Sequence, residues 1–76
     1  MSTRTAVQQA FMSNLKRYMG EHPDTNVEIA RRLEIDKSTL YRYMSGDAFP
    51  PLTKLAVIAN FFGVTDHDML DKPPRA

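Results

Sequence analysis

Apolar residues recur along this chain every three or four positions, and no run alternates with a period of two between hairpin turns. From Arg4 to Met19 the positions Val7, Phe11, Leu15 and Tyr18 or Met19 form one stripe, which predicts a first helix closed by Gly20 and Pro23. Thr25 opens a second helix. Its hydroxyl and the Glu28 carboxylate have capping-box spacing, and Ile29, Ala30 and Leu33 supply the buried side. Asp36 is the expected N-cap of a third helix that runs through Leu40 and Tyr43 and stops near Ser45-Gly46. Asp47-Ala48-Phe49-Pro50 reads as a turn with an apolar plug, followed by Pro51 where a first-turn proline is tolerated. Leu52, Leu55, Ile58, Ala59 and Phe62 make the stripe of a fourth helix closed by Gly63. Thr65 caps a short fifth helix carrying Met69 and Leu70, and Pro73-Pro74 ends regular structure. The expected fold is all-α, a compact bundle of five short helices: one domain over residues 1–71, then a flexible tail at 72–76.

Composition narrows the function classes. A chain of 76 residues with 42% apolar and 25% charged residues matches one small globular domain rather than a disordered tail. Cysteine is absent, and His22 and His67 are too far apart for a zinc motif, so no disulfide scaffold or metal is expected. These histidines are expected in loop and cap regions, without chemistry. Nothing resembles a membrane span or a secretory signal at Met1 to Val7, so a soluble cytoplasmic protein is expected. There is no nucleophile–base pair at motif spacing and no phosphate-binding glycine loop, and a chain this short leaves little to enclose a cavity. An enzyme is therefore disfavoured, and no cofactor or small-molecule ligand is expected. The net charge is only +1, but the signs are segregated. Arg4, Lys16 and Arg17 stand in an acid-free first nineteen residues, while Asp66, Asp68 and Asp71 crowd the C-terminal part. Arg31, Arg32, Lys37, Arg42 and Lys54 lie between, among Glu28, Glu34, Asp36 and Asp47. Charge alone favours a solvated mixed surface over a basic face.

The informative stretch is 26–45. Two short helices meet there with only Leu33-Glu34-Ile35-Asp36 between them. Ala30 is small enough for close approach, and Ile29, Leu33, Ile35, Leu40 and Tyr43 are spaced to fill the wedge. Lys37, Ser38, Thr39, Tyr41 and Arg42 form the polar side of the second helix. That is the pattern of a helix-turn-helix, whose second helix fits a major groove about 12 Å wide.

Several stretches in order resemble the lambda-repressor-like or Cro-like helix-turn-helix domains, the xenobiotic response element family. They are Thr25 to Ala30, Leu33 to Tyr43, Ser45-Gly46, Pro50, Leu52, Leu55, Ile58-Ala59 and Phe62-Gly63-Val64, within a span of about Val7 to Leu70. Two positions depart from the family pattern. Glu34 stands where Gly is frequent, which asks a non-glycine residue for a left-handed conformation, and Asn26 stands where Gln is frequent. The resemblance implies a sequence-specific regulator of double-stranded DNA, most like a phage Cro-type repressor, acting by occlusion of a pseudopalindromic operator. It implies base contacts from Lys37, Ser38, Arg42 and Tyr41 and phosphate contacts from Asn26, Thr39 and Lys54, with Tyr43 in the core. Arg31 and Arg32 read as a solvated helix face. An antitoxin or restriction-controller protein of the same fold, or a protein-interaction module without DNA binding, are the alternatives.

One domain of this size reads few base pairs, so a homodimer on half-sites about 34 Å apart is expected. With the fifth helix close to the last residue, the dimer surface is expected on the domain itself. Val57 and Phe61, with Met69, are the candidate interface; the alternative is that Phe61 packs inside the monomer.

Overall fold

The computed structural model describes residues 5–71. Among them are five helices and no strand: α1 (Ala6–Glu21), α2 (Asn26–Arg32), α3 (Lys37–Ser45), α4 (Leu52–Phe61) and α5 (Asp66–Leu70). The all-α expectation holds. The predicted helix start at Arg4 and the tail at 72–76 lie outside the described residues.

Local chemistry sets most helix ends. Thr5, Thr25 and Thr65 cap α1, α2 and α5, each accepting a hydrogen bond on Oγ1 from the backbone N–H three residues on. Only Thr65 belongs to a complete capping box, because the Asp68 carboxylate accepts in return from the Thr65 N–H at 3.3 Å. The box expected at Thr25 is half formed, since Glu28 turns its carboxylate to Arg31 instead. Asp36 stands at the N-cap of α3 but makes no side-chain cap bond. Gly46 (φ 87°) and Gly63 (φ 75°) end α3 and α4 in the left-handed conformation. Gly20, expected to close α1, is instead helical, and α1 continues to Glu21. It ends because His22 precedes Pro23, which forces the residue before it out of the helical region; His22 is extended at ψ 140°.

α1 packs against α3 and α5, α4 against α5, and α2 against α3. Phe11, Leu15, Ile29, Leu33, Leu40, Ile58 and Met69 are fully buried at the centre. Burying each such side chain stabilises the fold by about 1.5–3 kcal/mol. Two expected core residues are exposed, both in the first turn of a helix. Val7 lies on the buried side of α1 but one turn beyond the end of the core, beside Phe49 in a shallow groove that Thr5 and Gln8 also line. Leu52, the first residue of α4, is 73% exposed.

One buried polar residue was not anticipated. Asn14 sits in the apolar stripe of α1, and its Nδ2 donates to the carbonyls of Met69 (2.8 Å), Asp71 (2.6 Å) and Asp68 (3.2 Å). It thereby satisfies the open C-terminal end of α5, a helix too short to persist unaided. Replacing Asn14 with Ala should cost about 1–3 kcal/mol in urea denaturation. Hydrogen exchange should accelerate in α5 before it does in α2 and α3; uniform acceleration would show that Asn14 does not serve α5 in particular.

Candidate nucleic-acid interface

The α2–α3 corner is built from backbone first. Leu33 closes α2 through its N–H to the Ile29 carbonyl at 2.9 Å, Glu34 donates to Arg31 at 3.0 Å, and Ile35 donates to Ala30 at 3.0 Å. Fitting these bonds into so short a turn puts Glu34 in the left-handed region at φ 58°, as the resemblance implied from the glycine frequent at this position. Ala30, Ile29 and Leu33 seal one side of the corner and Leu40 and Tyr43 the other. Tyr43 meets Phe11 edge-on at 6.5 Å and is core, as expected.

Lys54 braces the corner from α4. Its Nζ donates to the Leu33 carbonyl at 3.0 Å in a half-buried position. The resemblance implied a phosphate contact for Lys54; in the free domain one of its three ammonium donors is used at the α2 C-terminus, where a cation also meets the negative end of the helix dipole. A second brace holds the segment entering α2. His22 stacks on Phe61 at 5.0 Å and meets Phe62 edge-on at 5.9 Å, while its Nδ1 accepts from the Asp24 N–H at 3.1 Å. Asp24 in turn pairs with Arg32 at 2.8 Å, and Arg32 lies over the Phe61 ring at 5.7 Å. His22, expected to be inert, is thus the residue through which the end of α4 fixes the start of α2.

This network also engages Phe61 inside the monomer, with Phe62 edge-on to it at 5.0 Å. Met69 is fully buried in the core and has no surface to offer a second chain, which corrects its placement at a dimer interface. The stripe read from the sequence carried α5 no further than its spacing; Asn14 and α1 draw Met69 inward. Val57 alone of the expected interface residues is well exposed.

On α3 the residues Lys37, Ser38, Tyr41, Arg42 and Ser45 are exposed, Thr39 is half-buried, and Leu40 and Tyr43 face inward. At 3.6 residues per turn the exposed five occupy an arc of roughly 140°. Lys37 and Tyr41 form one margin, Ser38 and Ser45 the middle, and Arg42 the other margin. Small residues in the middle keep the helix surface low between its two cationic edges. Asn26 is half-buried at the first position of α2.

Charge pairing separates the two helices. Arg31 pairs with Glu28 at 2.6 Å, which holds its guanidinium still more firmly protonated, and Arg32 pairs with Asp24. Among the described residues, neither Lys37 nor Arg42 is in an ion pair. The cations of the corner left outside the described ion pairs are therefore those of α3, with the exposed Glu34 and Asp36 carboxylates of the turn also outside them.

Residues 24–71 match the family model described as a helix-turn-helix domain. The chain belongs to that family. Its five helices agree with the fold that the resemblance to lambda-repressor-like domains implies. The solution structure of the SOS-response transcriptional repressor LexA from Eubacterium rectale superposes with a TM-score of 0.85 at 22% sequence identity, over 93% of this chain and 76% of that one. At that identity the likeness is one of fold. No curated protein matches the chain.

Glycine at position 34 should relieve the left-handed strain. With about 1–2 kcal/mol recovered and about 0.5–1 returned as backbone entropy, Glu34→Gly should stabilise the domain by up to about 1.5 kcal/mol. A denaturation midpoint below that of the native sequence would contradict this account of the turn.

Proposed function

We propose that this helix-turn-helix domain is a DNA-binding transcriptional regulator that lays α3 in the major groove of double-stranded DNA, acting as a Cro-like repressor by occluding a pseudopalindromic operator. The observation that carries this reading is the outward side of α3, where two cations without carboxylate partners flank a pair of serines. Lys37 and Arg42 are suited to the O6 and N7 acceptors of guanine, and Ser38 tolerates several bases. Tyr41 stands on the Lys37 side. Thr39 and Asn26, both half-buried, are the candidates for phosphate contact. Backbone contacts supply affinity and the α3 margins supply choice of sequence.

Selection from random duplexes with the purified protein should return a palindromic consensus, and affinity should fall steeply as salt rises. Arg42→Ala should cost about 1–3 kcal/mol and relax discrimination at one base position of each half-site, read by fluorescence anisotropy on single-base variants. An equal loss on every sequence would make Arg42 a phosphate anchor; binding with no salt dependence would remove the DNA reading.

The same reading takes the domain to act as a homodimer. Support comes from α4, whose exposed residues Leu52, Thr53, Ala56, Val57 and Asn60 carry no charge, while its lysine points inward to Leu33. A single short helix face is small beside the roughly 800 Å² per partner of a standard interface, so the free dimer should be weak and two half-sites should promote it. Val57→Glu should abolish cooperative occupancy of a full site, leave binding to a single half-site intact and preserve helicity by circular dichroism. Unchanged cooperativity would move the dimer surface elsewhere.

A further inference from the structure

We propose that Tyr41 is a positioning residue for Lys37: its ring holds the lysine ammonium and so fixes which base edge Lys37 reaches. The proposal rests on the DNA-binding reading above and adds the division of labour on one margin of α3. Lys37 and Tyr41 are one turn apart, and Lys37 Nζ lies 5.6 Å from the centre of the Tyr41 ring. That is inside the distance of about 6 Å at which the negative face of an aromatic ring attracts a cation. Among the described residues no carboxylate pairs with the ammonium. Asp36, adjacent in sequence, makes neither a cap bond nor an ion pair, and the four described ion pairs leave Lys37 out.

The two cationic margins of α3 differ in what they need. An arginine carries a rigid planar fork that docks on guanine as a unit. A lysine carries a point charge on a flexible four-carbon stem, and each rotamer it abandons on contact weakens binding. Confinement by a ring on the same helix removes part of that loss before DNA arrives. The pairing leaves the N–H donors of the ammonium free to hydrogen-bond, because attraction to a ring face does not consume them. Tyr41, exposed beside Lys37, therefore shapes specificity at the base pair Lys37 reads without having to touch a base itself.

A double-mutant cycle separates this from direct contact by Tyr41. Tyr41→Leu should weaken binding to the selected operator about two- to fivefold, the size of an exposed cation–ring attraction. It should also flatten discrimination at one base pair, distinct from the one that Arg42→Ala relaxes. Tyr41→Phe keeps the ring and should bind like the native sequence. In a Lys37→Ala background, Tyr41→Leu should have no further effect. On the free protein, the Lys37 ε-methylene protons should resonate upfield in the native sequence and in Tyr41→Phe, and return to the ordinary lysine position in Tyr41→Leu. Equal losses with and without Lys37, or a Tyr41→Phe defect as large as that of Tyr41→Leu, would overturn the proposal, as would an unshifted Lys37 signal in the native protein. If the native protein bound no duplex, the DNA reading and the base-discrimination half of this proposal would both fall; the ring–ammonium pairing would stand or fall on the proton shifts alone.

Discussion

Everything on the outward side of this molecule depends on how tightly the α2–α3 corner closes. Three backbone hydrogen bonds bring the chain round between Leu33 and Ile35, and they hold only if Glu34 accepts a left-handed conformation. That conformation costs about 1–2 kcal/mol for a residue with a β-carbon. Burial of Ile29, Leu33 and Leu40 against one another outweighs it several-fold at about 1.5–3 kcal/mol each. A looser turn would separate these side chains, and α3 would lose the support that presents Lys37, Ser38 and Arg42 together.

The ion pairs are better understood through the field they leave than through the stability they add. Exposed pairs such as Arg31 with Glu28 contribute at most about 1 kcal/mol. Their consequence is that the arginines of α2 are neutralised where they stand, while Lys37 and Arg42 of α3 are not. Lys54 is withdrawn from the surface to the Leu33 carbonyl. A chain with almost no net charge thus keeps its unpaired described cations on α3 (Lys37, Arg42) and on α1 (Lys16, Arg17), and a polyanion responds to local potential rather than to the sum. Pairing within the fold turns an unremarkable composition into a directional one.

The opposite side of the molecule serves this arrangement by holding α1, α4 and α5 in fixed register. Asn14 ties α1 to the end of α5, and the Phe61–His22 stack with the Asp24–Arg32 pair ties the end of α4 to the start of α2. The first is buried, while the second runs from the half-buried His22 ring out to the exposed Arg32. Each resists sliding in a way that aliphatic packing does not, because a hydrogen bond or ion pair has one geometry. The presentation of α3 benefits from that rigidity.

The sequence alone determined the features whose causes lie within four residues. These are the helical period, the threonine caps at 25 and 65, the glycine stops at 46 and 63, the left-handed Glu34 and the polar side of α3. Each depends on hydrogen bonds or steric limits between near neighbours, which a one-dimensional pattern contains. Tertiary structure decided what distance along the chain conceals. Val7 and Leu52 fit their stripes but stand beyond the reach of the core, Gly20 stays helical because the stop belongs to Pro23, and Met69 is drawn inward by α1 rather than left for a partner. It also decided which cations are occupied: Lys54 meets Leu33 across twenty-one residues of chain, while Lys37 meets only the ring one turn away. Periodicity records which way a side chain points from its own helix. Whether anything waits there is settled by segments remote in sequence, and only folding brings them within range.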